Sequence, residues 1–259
     1  MKNKRIYLCD NSIDGIFTAI YLAWSSRYGN SNIKIEEKYE GSKFANIELF
    51  AEYIVVDTDY NLSKKVADSI KKKISEEAYE MVCRVALSYY EGKADLIYRF
   101  LILAFAVGPT ITERLSNEIV NRMFRLDRNV GREAHHLLGF IRFSQHADGL
   151  LISVIRPKND VLTLVTPHFA DRLSQEKFII YDENRKLASI HIPGRQWILA
   201  QLPKLEQEKL DEIWGIDDEY SNLWKIFFKS IAIKERTNPK LQRNNLPLRY
   251  RSYMTEFKI

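Results

Sequence analysis

Cysteine is scarce in this chain. Cys9 and Cys83 are the only two among 259 residues, and they form no CxxC pair. That scarcity argues against a disulfide framework or a cysteine zinc site and suits a reducing cytoplasm, the expected location. It also excludes an iron–sulfur cluster held by three or four cysteines of this chain. Long apolar runs are lacking too: the longest, Phe100 to Gly108, is too short to span a bilayer, so no membrane partner is expected. The opening residues, MKNKRIYLCD, include no sustained apolar region and read as a poor signal peptide. Neither a Walker loop nor GxGxxG occurs, and there is no HExxH. Ser144 has no nucleophile elbow around it, and Cys9 has no local base. The chain shows no internal repeat and no low-complexity tract.

What is present is ordinary globular composition, 46% apolar and 28% charged, with a net charge of +5 and a pI near 9.0. The charge leans towards an anionic partner, and its distribution carries more information than its total.

The pattern along the chain predicts an α+β fold. Arg5 to Asp10 reads as a short buried strand. A polar turn follows, then a helix to about Tyr28 capped by Asp14, with Ile16, Ala19, Ile20 and Ala23 at helical spacing. A strand, a polar loop and a helix N-terminus together are a common phosphate site. The same residues, Asp10, Ser12 and Asp14, also suit a capped connection that only satisfies backbone donors. Strands are expected near Ile33 to Glu37 and Tyr53 to Asp57. Helices should cover about Ser63 to Lys73, Glu76 to Tyr90, Ala94 to Val107 and Glu113 to Leu137, with Gly108-Pro109 as a break.

After Leu138 the period becomes alternating. Gly139 to Gln145 and Leu150 to Arg156 read as a hairpin across His146-Ala147-Asp148-Gly149. A helix from Asp160 to Leu173, interrupted or restarted at Pro167, precedes a second hairpin, Lys177 to Asp182 with Leu187 to Ile192. Gln196 to Gln201 adds a further strand. Amphipathic helices are expected at Leu205 to Ile213 and Asp218 to Ile233. The expected architecture is thus an N-terminal strand- and helix-rich lobe, 1–137, packed on a ββαββ-like antiparallel unit, 138–201. C-terminal helices and a basic tail, 202–259, complete it, either as separate lobes or as one compact domain.

Three groups of residues carry candidate chemistry. On the helix ending near Leu137, Arg128, Arg132 and His135 fall within about 60° of one another at 100° per residue. Arginine suits phosphate because its planar fork donates in pairs and stays charged. A surface helix paired with Asp127, Glu133 or more distant acids would show the same pattern. His168 and Asp171 sit one turn apart. They would complete a mixed N/O set if the fold brought them to Glu133 and His135, as general acid/base groups or metal ligands. The adjacent His135 and His136 diverge by about 100° on a helix and do not suit one shared ion.

The third group is the ending. From 229 to 258, eight cations face two acids, a net +6 that leaves the rest of the chain nearly neutral. Tyr250, Tyr253 and Phe257 are interleaved with the charge. Arg236, Asn238, Lys240, Arg243, Arg249 and Tyr250 supply the mixture of phosphate donors and aromatic faces that nucleic acid needs. A tail docked on the acidic side of the core is the competing explanation.

Four blocks of this sequence resemble one bacterial family of "probable DNA metabolism" proteins. Glu235 to Arg243 (ERTNPKLQR), followed by Leu246 to Tyr250 (LPLRY), is similar to that family's ERRNPKLQR…MPKRYW ending, with Leu248 where lysine is usual and Arg251 where an aromatic is usual. Arg132 to Phe143 (REAHHLLGFIRF) is similar to REAHRMKGFLRF, with His136 in place of an arginine. Pro167 to Arg172 (PHFADR) matches PHFADRF. Tyr7 to Phe17 resembles YDGSFDGFL, with Cys9 and Asn11 as departures.

The resemblance implies a role in DNA repair or modification. Such proteins are encoded beside a radical-SAM protein regarded as a DNA modification or repair enzyme, and related domains occur fused to a uracil-DNA glycosylase-like module. The expectation is therefore a DNA-binding or accessory component working with a radical-SAM partner. Arg128, Arg132, His135 and Arg172 would hold phosphate or an altered nucleotide, and Arg236 to Tyr250 would add backbone contacts. No cofactor of its own is expected. Two rivals remain open: an acid/base- or metal-dependent enzyme acting on nucleic acid through Glu133, His135, His168 and Asp171, and an adaptor that binds protein without touching DNA. The residues alone name no reaction.

Overall fold

A computed structural model describes residues 3–38, 48–146, 149–202 and 219–257. The expected Leu205–Ile213 helix and the Ala147-Asp148 turn lie outside the described residues. The chain divides into two compact units, Met1–Gly131 and Arg132–Ile259. The fold is mixed α+β, as expected.

The first unit is built on a small parallel sheet in the order β2-β1-β3, with β1 at Lys4–Cys9, β2 at Ile33–Glu37 and β3 at Ala51–Val55. Ile6 pairs with Lys34 on one side and Tyr53 on the other. β1 leads into α1, Ile13–Ser25, whose N-cap is Ser12; its hydroxyl accepts from the Gly15 amide at 3.0 Å. Asp14 was expected to cap this helix. It sits instead in the first turn, accepting a hydrogen bond from Ser63. Gly15 is required by close approach, since a Cβ there would lie 2.6 Å from the Asp10 carbonyl oxygen.

Three further helices follow. α2, Tyr60–Lys73, is capped by Asp59, and α3, Glu76–Ala86, by Ser75. α4, Lys93–Val107, is capped through Glu37, whose carboxylate accepts from the Ala94 amide at 3.0 Å, and it ends at Gly108 as expected. Ile6, Ile16, Phe17, Ile20, Ile35, Ile70, Val82, Ile97, Phe100 and Leu101 are all buried and form the core of this unit. α5 runs over Glu118–Phe140, so the division between the units falls within it.

α5 continues past the point where alternation was expected to begin. Ala134, Leu137 and Ile141 are buried at helical spacing. Gly139 costs a helix only about 1 kcal/mol, less than those residues gain by burial. The strand predicted from Gly139 is therefore reduced to β4, Ser144–Gln145.

The second unit holds a five-stranded sheet in the order β4-β5-β6-β7-β8, with β5 at Leu151–Ile155, β6 at Phe178–Asp182, β7 at Leu187–His191 and β8 at Ile198–Gln201. The expectation of an antiparallel unit is corrected at its centre: β5 and β6 are parallel, Ile152 opposite Ile179, whereas the other pairs are antiparallel. Parallel neighbours need a crossover, and α6, Leu162–Arg172, provides it. α6 runs through Pro167 without a break. Phe143 packs edge-on against Phe169 of α6 and Phe178 of β6. α7, Glu219–Ile231, and two short helices, α8 at Pro239–Asn245 and α9 at Leu248–Arg251, complete the described chain.

Candidate functional site

α5 places Glu133 inside the second unit, 3% exposed. Its carboxylate accepts from the backbone amides of Lys158 at 3.1 Å and Asn159 at 2.7 Å, and from the Asn159 side-chain amide at 2.6 Å. The Arg249 guanidinium stands 3.0 Å away. A buried carboxylate is tolerated only when donors replace its lost hydration, and this one has five, the Tyr250 hydroxyl at 3.5 Å being the last. Glu133 thereby ties α5 to the loop after β5 and to α9.

Arg249 also donates to the Tyr250 hydroxyl at 2.5 Å. Tyr250 is 5% exposed, and its ring lies against Phe140 and edge-on to His136. Burial, with Glu133 alongside, raises the Tyr250 hydroxyl above its ordinary pKa. His136 is pushed below the usual histidine value by burial and by the neighbouring charges of His135, Arg132 and Arg249.

Two further acids fasten the end of the chain. Glu256 receives Arg142 bidentately, at 2.8 and 3.2 Å, and the Trp224 indole at 3.1 Å. Glu183 receives Arg156 at 2.5 and 2.9 Å and also the Tyr253 hydroxyl. Residues 249–257 are therefore docked, as the competing explanation of the tail supposed.

Residues 231–245 differ. Every one of them is exposed. Among the described residues, the side chains of Lys234, Arg236, Lys240 and Arg243 have no hydrogen-bonding or ion-pair partner. Asn238 caps α8 by accepting from the Leu241 amide.

The other sequence candidates are separate. Arg128 is exposed in the first unit, with its guanidinium 5.6 Å from the Phe124 ring. Arg132 and His135 are exposed on α5. His168, Asp171 and Arg172 are exposed on α6, with His168 edge-on to Phe169. Among the described residues, no hydrogen bond, ion pair or ring contact joins Glu133 or His135 to His168 or Asp171. Among the described residues, no group of three or more His, Cys, Asp or Glu could hold a metal ion. The physical reason is the set of partners that Glu133 already has, which turns it into the interior.

The acids of the loop after β1, the other candidate, have partners from other segments of the first unit. Asp10 accepts from Thr58 at 2.5 Å and faces Lys38 at 3.5 Å, and these contacts lower its pKa, Thr58 most. Lys38 donates to the Val56 carbonyl at 3.0 Å. The capped-connection reading accounts for Asp10, Ser12 and Asp14.

Sequence reasoning missed Asn159, Glu183 and the Arg142–Glu256 pair. It also missed that Trp224 and Phe227 of α7 are exposed. Isolated acids far apart in sequence carry no local signal of pairing, so only the apolar stripe of α7 was detectable.

A family model described as a domain of unknown function, DUF4130, matches residues 91–256, a span that contains every candidate from Arg128 to Tyr250 and leaves out the Tyr7–Phe17 block. No curated protein matches the chain. Among the described residues, no helix is long and apolar enough to cross a membrane.

Proposed function

From the premise that this chain belongs to the DUF4130 family, we propose that it is a DNA-binding or accessory component of a repair or modification system, working with a radical-SAM partner. The observation that carries the reading is the contrast within the basic ending. Arg249 is held by a buried acid, whereas the side chains of Lys234, Arg236, Lys240 and Arg243 are exposed and unpaired among the described residues. Cations that stabilise a fold acquire acid partners. Cations left in water along one segment suit a partner that brings its own negative charge. Arg132, His135 and Arg172, also exposed, supply further phosphate contacts. Tyr250 acts by positioning Arg249 and α9, because its ring is buried.

The four-block resemblance supports DNA as the polyanion and the radical-SAM protein as the partner. With two cysteines, this chain leaves iron–sulfur chemistry to that partner. Its free thiols, Cys9 and Cys83, suit a cytoplasmic setting. On the same footing we read residues 138–201 as a ββαββ-like unit, on the order β4, β5, α6, β6, β7.

The test is binding of the full chain to duplex, single-stranded and lesion-bearing DNA across a salt series. The four cations of the segment alone contribute about −3.6 to the slope of log K against log salt on duplex, a loss of roughly 150-fold or more between 50 and 200 mM. Salt-independent binding, or none with or without the partner, would contradict the reading.

A further inference from the structure

α7 exposes an apolar face that the basic segment does not account for. Tyr220, Leu223, Ile226, Phe227 and Ile231 are each more than half exposed, and Trp224 is 39% exposed. An amphipathic helix ordinarily buries such a stripe, and one left in water marks a binding surface. Within this unit the aromatic part of the stripe borders a groove of about 440 Å³, lined by Arg142, Phe143, Tyr220, Trp224, Phe227 and Thr255. That volume falls in the range of small-molecule sites, roughly 300–1,000 Å³.

The lining has a particular chemistry. The Trp224 and Phe227 rings lie 5.8 Å apart and are inclined by 38°. The Arg142 guanidinium stands 5.5 Å from the Trp224 ring, and its charge is matched by Glu256. The groove is thus aromatic and close to neutral. The chain that continues from α7 is not: Lys229 near the end of the helix, then Lys234, Arg236, Lys240 and Arg243, are exposed without acid partners among the described residues. An apolar helix of another protein would be served by the aliphatic positions alone. Flat π faces on a helix that leads into a run of exposed cations match a ligand that is planar at one end and anionic at the other, which is a nucleotide of an unpaired strand.

We propose that the Tyr220–Trp224–Phe227 groove is a stacking platform for an unpaired nucleobase, with the segment from Lys229 to Arg243 holding the phosphates of the same strand. This inference rests on the proposed function above and adds that the bound form is single-stranded or locally unpaired. The two duties are separable: cations set the salt slope on any nucleic acid, and the aromatic groove sets the preference for unpaired over paired strands.

The experiment compares the full-length wild type with Phe227→Ala, Tyr220→Ala and Arg236→Ala. Affinity is measured for a single-stranded oligonucleotide and its duplex, and sedimentation equilibrium is run on each protein. Because Tyr220 and Phe227 are largely exposed, their melting temperatures should match the wild type. Each aromatic variant is expected to lose about 5- to 150-fold in single-strand affinity, with duplex affinity and salt slope unchanged. Arg236→Ala should weaken both and lower the slope by about 0.7 on single strands. If the wild type binds DNA and both aromatic variants bind single strands unchanged, the platform is refuted while the proposed function stands. If the wild type binds no nucleic acid, both fall. Concentration-dependent self-association that Phe227→Ala abolishes, with single-strand affinity intact, would give the face to a second copy and overturn the inference.

Discussion

Replacing Glu133 by alanine tests the structural knot on which the basic ending depends. The substitution leaves the Lys158 and Asn159 amides and the Asn159 side chain without their acceptor. Asn159 is 1% exposed, so water cannot readily substitute. Each unsatisfied buried donor costs about 1–3 kcal/mol. Arg249 loses its partner as well, but its side chain is 38% exposed and rehydrates, so it adds little. The total is about 3–9 kcal/mol, which lowers the melting temperature of a unit this size by roughly 10–30 °C. Arg249→Ala, by contrast, leaves the amides bonded to Glu133 and should cost only about 1–2 kcal/mol. Urea unfolding of wild type, both single variants and the double variant gives the coupling directly. A Glu133→Ala protein within about 0.5 kcal/mol of wild type would refute the reasoning, because that is the range of an ordinary surface substitution.

Other outcomes follow from the same geometry. Gly15→Ala forces a Cβ to 2.6 Å from the Asp10 carbonyl and should destabilise the first unit by about 1–3 kcal/mol, read by its melting temperature. Burial, with Glu37 and Asp10 nearby, pushes the Cys9 thiol up to about 12; it should resist alkylation at pH 8 in the native protein and react on unfolding. Glu183 is held below the usual glutamate range by Arg156 and Tyr253. Its contribution to stability is present above the ordinary glutamate pKa, about 4.3, and is lost as pH falls through the lower folded value, so Glu183→Gln should flatten the acid limb of the stability curve. His136 is also depressed, so the folded protein loses stability as pH falls below about 6.5, and His136→Gln should reduce that loss between pH 7 and 5.

Local pattern revealed much of the secondary structure and little of its assembly. β1, β2 and the β6–β7 hairpin were legible from β-branched runs and turn residues, and α4 from its apolar content and the Gly108-Pro109 stop. The end of α5 was misread because Arg142 and Ser144 alternate with Ile141 and Phe143, while the burial of Leu137 and Ile141 that extends the helix is a tertiary effect. The parallel pairing of β5 with β6 depends on which way α6 crosses, which alternation does not encode. At the candidate site, Glu133, Arg249 and Tyr250 were each visible as chemical types. Their mutual contact was not, because it joins α5 to the far end of the chain. Aromatics at similar spacing also took opposite fates: Tyr250 is buried, whereas Trp224 and Phe227 are exposed.

The most direct test of the central claim is the salt slope of DNA binding, compared between wild type and the triple variant Arg236→Ala, Lys240→Ala, Arg243→Ala. All three residues are exposed and unpaired, so the variant should fold as the wild type does. If these three cations are phosphate contacts, the slope on duplex should become shallower by about 2.7. An unchanged slope would contradict the account, because the affinity would then reside elsewhere on the molecule.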